Sequence, residues 1–176
     1  VRCHDEAAGP SAPCVGLDRP GSCPLDIEGG VDVAVAVRPD DEPHPTAHEA
    51  GVTCALRQGI PLVVAGATDP GPFARWGVTV PAGGDVTAAC HEAQREALDD
   101  LGRTIAIAAC QAIGGPYRAG ADIRAEVTRR EHELVVTVYR PVGARPLDGA
   151  IATHAHRAAR DAKVPTRSIS VTCLDR

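Results

Sequence analysis

Three apolar segments predict the strands in the first half of the chain. Residues 31–37 place valine at every second position with short side chains between, which is typical of a strand buried on both faces. Residues 61–66 form a second continuous apolar run, and residues 77–80 predict a short third strand. Runs of this kind indicate a parallel sheet that is covered on both sides.

The segment between the first two strands predicts a helix over residues 46–58. Thr46 can cap it, and Glu49 stands three residues later, where it would complete a capping box. Gly59 ends the pattern. A strand, a helix and a strand in this order predict a right-handed crossover between parallel neighbours.

The pattern changes after residue 84. Residues 86–113 predict a long helix, and the Gly-Gly-Pro sequence that follows predicts its end. Its inner stripe, at spacings of three and four residues, would be Cys90, Ala93, Ala97, Leu101, Ile105, Ala108 and Ala112.

The last third of the chain alternates apolar and polar positions. Residues 122–129 place Ile123, Ala125 and Val127 on one face, and with residues 134–140 they predict an antiparallel hairpin with one wet face. Residues 147–163 predict a helix. Residues 167–173 predict a last strand whose inward side chains are Ile169, Val171 and Cys173.

The elements together predict an α/β protein with two lobes. A small parallel β-α-β lobe covers residues 31–84, a long connecting helix covers 85–114, and an α+β lobe of order β-β-α-β covers 120–176. Residues 1–30 show no periodicity, are rich in Gly and Pro, and hold three of the seven cysteines. They predict a Cys-rich N-terminal loop.

Composition excludes several classes of function. The net charge of −5 argues against nucleic-acid binding, which needs clustered Lys and Arg. With one Trp, two Tyr and one Phe, the chain is also poor in the aromatic side chains that stack on bases. No apolar run approaches the roughly 18–20 residues that span a bilayer. The first six residues lack the apolar core of an export signal, which favours the cytoplasm.

The N-terminal loop carries the sharpest chemical hypothesis. Cys3, His4, Cys14 and Cys23 form a Cys₃His set that suits tetrahedral Zn²⁺. An iron–sulfur cluster is the alternative metal centre. The spacings lack the tight C-x2-C knuckle that makes a zinc assignment specific. A disulfide, or thiols tucked against the sheet with no cofactor at all, stays open.

A second candidate site lies where the carboxyl ends of the parallel strands meet, because ligands bind there in open sheets. The acidic first loop suits a divalent cation or a cationic ligand, whereas the glycines before the long helix could face an anion. Asp85 argues against an anion, since its carboxylate would cap the helix. Ordinary capped loops are the alternative. The candidate residues are Asp40, Asp41, His44, Thr68, Asp69, Gly83 and Gly84.

The positions of the other four cysteines in predicted helices and strands largely explain why they are there. Cys54, Cys110 and Cys173 lie in line with apolar neighbours and are predicted to be small core residues. Cys90 is a weak candidate for a reactive thiol, because it lies near a helix N-terminus. The chain has no G-x-S-x-G motif and no glycine-rich nucleotide motif.

These observations favour a small cytoplasmic protein that binds or assembles over one that catalyses. In this interpretation the N-terminal Cys/His loop is a structural metal site. The first alternative is a thiol-dependent or iron–sulfur redox enzyme that uses Cys3, Cys14 or Cys23. The second is a metal-free homo-oligomer in which the last lobe supplies the contact. A homo-oligomer is the expected partner state, and a different protein partner stays open.

Overall fold

A computed structural model describes residues 23, 25, 31–38, 44–45, 49–66, 69, 71–162, 164 and 166–176. The chain divides into two compact units, a first unit of Val1–Gln94 and a second unit of Arg95–Arg176. The predicted α/β class with two lobes is confirmed. The predicted Cys-rich loop 1–30 lies almost wholly outside the described residues, and the predicted boundaries at 84, 114 and 120 stay predictions. None of the described helices is long and apolar enough to cross a membrane.

The first unit contains a parallel three-stranded sheet. Its strands are β1 (Ala34–Val37), β2 (Leu62–Gly66) and β3 (Gly77–Pro81), in the order β1-β2-β3. Helix α1 (Ala50–Arg57) connects β1 to β2, and a 3-10 turn (Gly71–Phe73) lies between β2 and β3. The order strand, helix, strand is the predicted crossover unit.

Both faces of this sheet are packed, which explains the continuous apolar run of β2. On one face Leu62 and Val64 pack with Val52 of α1 and with Phe73. On the other face Val63, Ala65 and Val80 pack with Ala89 and Ala93. The last two belong to helix α2 (Val86–Ile113), the long helix that begins in the first unit and ends in the second.

Helix α1 begins later than the sequence predicts, at Ala50. Glu49 immediately precedes it, but the Glu49 carboxylate accepts a hydrogen bond from Arg38. The described partner of this side chain is thus a buried guanidinium, and the predicted capping box stays a prediction. Thr46, the predicted cap, lies outside the described residues.

The second unit contains a mixed three-stranded sheet. Strands β4 (Arg124–Arg130) and β5 (Glu133–Arg140) form the predicted antiparallel hairpin, and β6 (Ser168–Asp175) pairs with β5 in parallel. A 3-10 segment (Val142–Leu147) leads into helix α3 (Asp148–Asp161), which connects β5 to β6.

One face of the second sheet packs on two helices. Ile123, Ala125 and Val127 point to this face as predicted, and so do Ile169, Val171 and Cys173. The helices contribute Ile105 and Ala109 from α2, and Ile151, Ala155 and Ala159 from α3, and all five are buried.

The inner stripe of α2 differs from the predicted stripe toward its end. Ala106 and Ala109 are fully buried, whereas the predicted Ala108 and Ala112 are only half-buried. Gly102 explains the shift, because a Cβ built there would lie 2.7 Å from the Ala125 carbonyl oxygen. The close approach at Gly102 turns the side of the helix that carries residues 102, 106 and 109 toward the sheet.

Candidate functional site

The structure describes one of the four residues predicted to bind a metal. Cys23 is half-buried and packs against Leu25, Ala55 and Ile60 of the first unit. Cys3, His4 and Cys14 lie outside the described residues. Among the residues that are described, no group of three or more His, Cys, Asp or Glu side chains is placed to hold a metal ion. The zinc or iron–sulfur site stays a prediction.

A buried ion pair lies at the carboxyl end of the first sheet. Arg38 directly follows β1, and its backbone N–H donates to the Ala65 carbonyl at 2.8 Å. Its guanidinium donates to the Glu49 carboxylate at 2.7 Å, and the two side chains are 2% and 5% exposed. The guanidinium carbon also lies 5.4 Å from the centre of the Phe73 ring, within cation–π range.

This ion pair connects three elements at one place. Arg38 directly follows β1, Glu49 immediately precedes α1, and Phe73 belongs to the 3-10 turn. Gly66 at the end of β2 comes close to the same point, because a Cβ there would lie 2.9 Å from the Arg38 carbonyl oxygen. The φ of Gly66 is +101°, a conformation that only glycine adopts without strain. The chain's own charges therefore fill part of the edge where the sequence predicts a ligand.

Sequence reasoning missed Arg38 and Glu49. The available signal was an arginine placed immediately after a strand predicted to be buried on both faces. A buried guanidinium at that position requires a carboxylate close enough to form an ion pair with it. Glu49 was noted, but as part of a cap.

Two candidate residues from the predicted loops, His44 and Asp69, are exposed. The His44 carbonyl oxygen is 3.5 Å from a guanidinium nitrogen of Arg38. The Asp69 carboxylate accepts a hydrogen bond from the Gly71 N–H at 2.8 Å, which is an Asx turn. Asp40, Asp41 and Thr68 lie outside the described residues, so ligand binding by these loops stays a prediction.

The two glycines before α2 are exposed and belong to a turn. The Gly84 N–H donates to the Pro81 carbonyl at 2.9 Å, and Gly83 has a φ of +80°. The Asp85 carboxylate accepts from the Ala88 N–H at 2.9 Å, so this aspartate caps the helix as predicted. A bound anion at this helix end would have to displace that cap.

Cys54 corrects one prediction. It is exposed, not part of the core. Among the α1 residues whose burial the structure describes, Val52 and Ala55 are buried, and they define the face that meets the rest of the unit. Cys54 is two residues from Val52, which turns it by about 200° around the helix and away from that face.

Cys90, Cys110 and Cys173 are half-buried and pack against apolar clusters, as predicted. Burial raises the pKa of Cys110, and the nearby Asp122 carboxylate raises it further. Burial likewise raises the pKa of Cys173, with Asp148 adding to the effect. Both thiols therefore stay protonated at neutral pH and make poor nucleophiles or metal ligands.

Among the described elements of the second unit, no helix packs on the face of the second sheet that points away from α2 and α3. We call it the outer face. It carries Tyr139, whose hydroxyl donates to the Glu126 carboxylate at 3.0 Å, and this bond raises the pKa of Tyr139. Glu126 is also 3.0 Å from the Arg124 guanidinium. By register its side chains are Arg124, Glu126, Thr128, Arg130, Glu133, Val135, Thr137, Tyr139, Ser168, Ser170, Thr172 and Leu174.

A second buried arginine closes one end of this sheet. Arg140, at the end of β5, donates to both carboxylate oxygens of Asp148 at 2.6 and 2.7 Å, and also to Asp175. Arg145 donates to Asp175 as well. Hydrogen bonds from these two arginines lower the pKa of Asp175 to about 2, and Arg140 lowers the pKa of Asp148. Through these hydrogen bonds, Arg140 of β5 contacts both the start of α3 at Asp148 and the end of β6 at Asp175, and we call this set of charges the Arg140 cluster.

The described charged clusters thus pair internally and hold elements together. The outer face of the second unit, by contrast, carries polar and apolar side chains in regular rows. Comparison with family models, with curated proteins and with solved structures finds no match for this chain.

Proposed function

We propose that this protein is a binding or assembly protein that forms homo-oligomers through its second unit. The observation that supports the proposal is the outer face, where side chains form rows across three paired strands and no helix of the described second unit is packed. Leu174 is 45% exposed there although it is a large apolar residue. Buried apolar positions surrounded by a polar rim are the usual anatomy of a protein interface.

The pattern of the face favours a protein surface over a small ligand. Val135, Tyr139 and Leu174 supply apolar area, and short hydroxyl side chains lie among them. Small-molecule sites are concave and apolar with a few convergent polar groups. A sheet face that carries Thr and Ser along its strands is instead suited to packing against another flat surface.

We also propose a structural metal site in the N-terminal loop, with Cys3, His4, Cys14 and Cys23 as ligands. Zinc is the proposed metal, and an iron–sulfur cluster is the alternative. The support is chemical: three thiols and an imidazole stand in a segment without apolar periodicity, where metal binding would supply folding energy. The five described cysteines are free thiols, which fits a reducing cytoplasm as the compartment.

The assembly proposal is tested by sedimentation velocity on the full chain over a wide range of protein concentration. Concentration-dependent formation of a discrete oligomer supports it, and a monomer throughout overturns it. A partner that is a different protein would appear as a monomer that shifts only when the partner is added. That result would replace homo-oligomerisation with hetero-assembly.

The metal proposal is tested by elemental analysis and an absorbance scan after aerobic and anaerobic purification. About one zinc per chain supports the structural site, and Cys14→Ser should abolish it. Cys54→Ser is the matched control, because this exposed thiol belongs to no predicted ligand set. Absorbance at roughly 400 nm, where iron–sulfur clusters absorb visible light, favours the redox alternative. Absence of any metal with all thiols titrating leaves the metal-free homo-oligomer.

A further inference from the structure

We propose that β6 pairs antiparallel with β6 of a second copy about a two-fold axis at Val171, so that the two second-unit sheets join into one. This inference rests on the homo-oligomerisation proposed above and places its contact at the β6 edge of the second sheet, so that the two outer faces form one continuous face. The argument uses the hydrogen bonding of β6, its side chains and the charges at its ends.

Every second backbone group of β6 points away from the sheet. The Ser168 N–H donates to the His132 carbonyl, and the Arg176 N–H donates to the Arg140 carbonyl. The even-numbered residues of β6 therefore bond to β5, in the regular parallel pattern. The N–H and C=O groups of Ile169, Val171 and Cys173 face the other way. Within the described part of the chain, no hydrogen bond joins these outward N–H groups to another element.

The two edges of the second sheet differ in how they are protected. Proteins guard edge strands with charged side chains, proline or bulges. β4 has the sequence RAEVTRR and carries a charge at four of its seven positions. β6 has the sequence SISVTCLD and carries none before Asp175. An edge strand whose residues before its last one are uncharged and include β-branched side chains is suited to accept another strand.

A two-fold axis at Val171 brings every outward group into register. Val171 then faces Val171 of the second copy, and Ile169 faces Cys173. These are the outward-bonding residues, and each antiparallel pair of this type exchanges two hydrogen bonds. On the outer face, Ser170 lies opposite Thr172 of the second copy, so short hydroxyl side chains meet in the closely spaced pairs.

The same register places opposite charges together at both ends of the contact. Arg167, which precedes β6 and is exposed, lies opposite Asp175 of the second copy. Asp175 is one third exposed even with its bonds to Arg140 and Arg145, so one side of the carboxylate faces solvent. A register shifted by two residues toward the start of β6 would put Arg167 opposite Cys173 and lose both ion pairs. Charge complementarity therefore selects the two-fold register with a second copy as the occupant.

Amide hydrogen exchange on the full chain, measured residue by residue by NMR at low and high concentration, tests the pairing directly. We expect the Ile169, Val171 and Cys173 amides to exchange at least several-fold more slowly at concentrations where the oligomer forms. The Ser170 and Thr172 amides bond to β5 in either state and serve as the internal reference. Unchanged, fast exchange of the outward amides in an oligomer would overturn the edge pairing while leaving the proposed assembly intact.

Matched lysine variants give a second, independent readout. Ser170→Lys combined with Thr172→Lys places lysines opposite one another in the proposed contact, and we expect the dimer dissociation constant to rise by about tenfold or more. Thr128→Lys is the control, because Thr128 lies in the same row of the outer face but on the β4 edge. Equal loss of dimer in both variants would point to face-to-face packing and contradict the edge pairing. Circular dichroism verifies that each variant folds.

Discussion

Arg38 donates to Glu49 at 2.7 Å across eleven residues of chain, and both side chains are almost fully buried. The pair joins the end of β1 to the start of α1 in a place where neither charge can be solvated. Each of these buried charges stabilises the other, so the loss of either side chain alone is expected to be costly.

Removing one partner of this pair should therefore cost more than removing both. We expect Glu49→Ala to lower the free energy of unfolding of the first unit by about 3–5 kcal/mol, because it removes a buried carboxylate that accepts a hydrogen bond from the buried Arg38 guanidinium. The Arg38→Met/Glu49→Leu double variant should lose clearly less than the single variant, because two apolar side chains carry no desolvation penalty. Urea unfolding followed by the fluorescence of Trp76, the single tryptophan, reports on this unit. A single variant as stable as the parent would contradict the role assigned to the pair.

The Arg140 cluster predicts a defined acid sensitivity of the second unit. The pKa of Asp175 is lowered to about 2 by its bonds to Arg145 and Arg140, and the pKa of Asp148 is lowered by Arg140. In the unfolded chain these carboxylates have a pKa of about 3.9, so the unfolded chain binds protons before the folded one does as the pH falls. The stability that the cluster supplies is thus complete above about pH 4 and is lost as the pH falls toward 2.

Thermal unfolding measured by circular dichroism at a series of pH values checks this expectation. The parent should lose thermal stability steeply over that window. Asp175→Asn should have a lower midpoint at neutral pH and a shallower fall in acid, because one of the two linked carboxylates is gone. Asp100→Asn is the control, since Asp100 pairs with Arg103 on the open surface of α2. If Asp175→Asn shows the same pH slope as the parent, the cluster does not supply the acid sensitivity.

Cysteine reactivity should follow burial. Cys54 is exposed on α1, whereas Cys110 and Cys173 are half-buried with pKa values raised by burial. We expect Cys54→Ser to remove one fast-reacting thiol equivalent when the native protein is titrated with a disulfide reagent, because thiolate and access together set the rate. Cys110→Ser and Cys173→Ser should leave the fast phase unchanged. A fast phase that survives Cys54→Ser at full amplitude would contradict the placement of Cys54.

The strands and their faces were predictable because alternation along a half-buried strand is a local pattern. Ile123, Ala125 and Val127 point to the core in the structure as their period of two indicates. The face of α1 was less predictable. The helix buries Val52 and Ala55 and leaves Cys54 exposed, and which apolar side of so short a helix is buried depends on how it packs on the sheet.

The candidate site was predictable only in its location. The sequence indicates that the carboxyl ends of the parallel strands converge, because topology fixes that edge. It does not indicate that Arg38 and Glu49 meet there, since the choice of an ion-pair partner depends on where α1 packs on the sheet. The predicted buried face of α2 was wrong toward the end of the helix for a similar reason, because the close approach at Gly102 depends on the position of β4.

That close approach gives a prediction whose sign opposes helix propensity. Replacing an interior helix glycine by alanine normally stabilises a protein by up to about 1 kcal/mol. Gly102→Ala should instead destabilise the second unit by about 1–3 kcal/mol, because overpacking forces neighbouring groups to move. The new Cβ would lie 2.7 Å from the backbone oxygen of Ala125, which has no side-chain freedom to yield. Gly149→Ala in α3 is the matched control, since a Cβ there meets nothing within 4 Å. Chemical unfolding of both variants should therefore give opposite signs, and a stabilised Gly102→Ala would show that α2 does not press against β4 at this point.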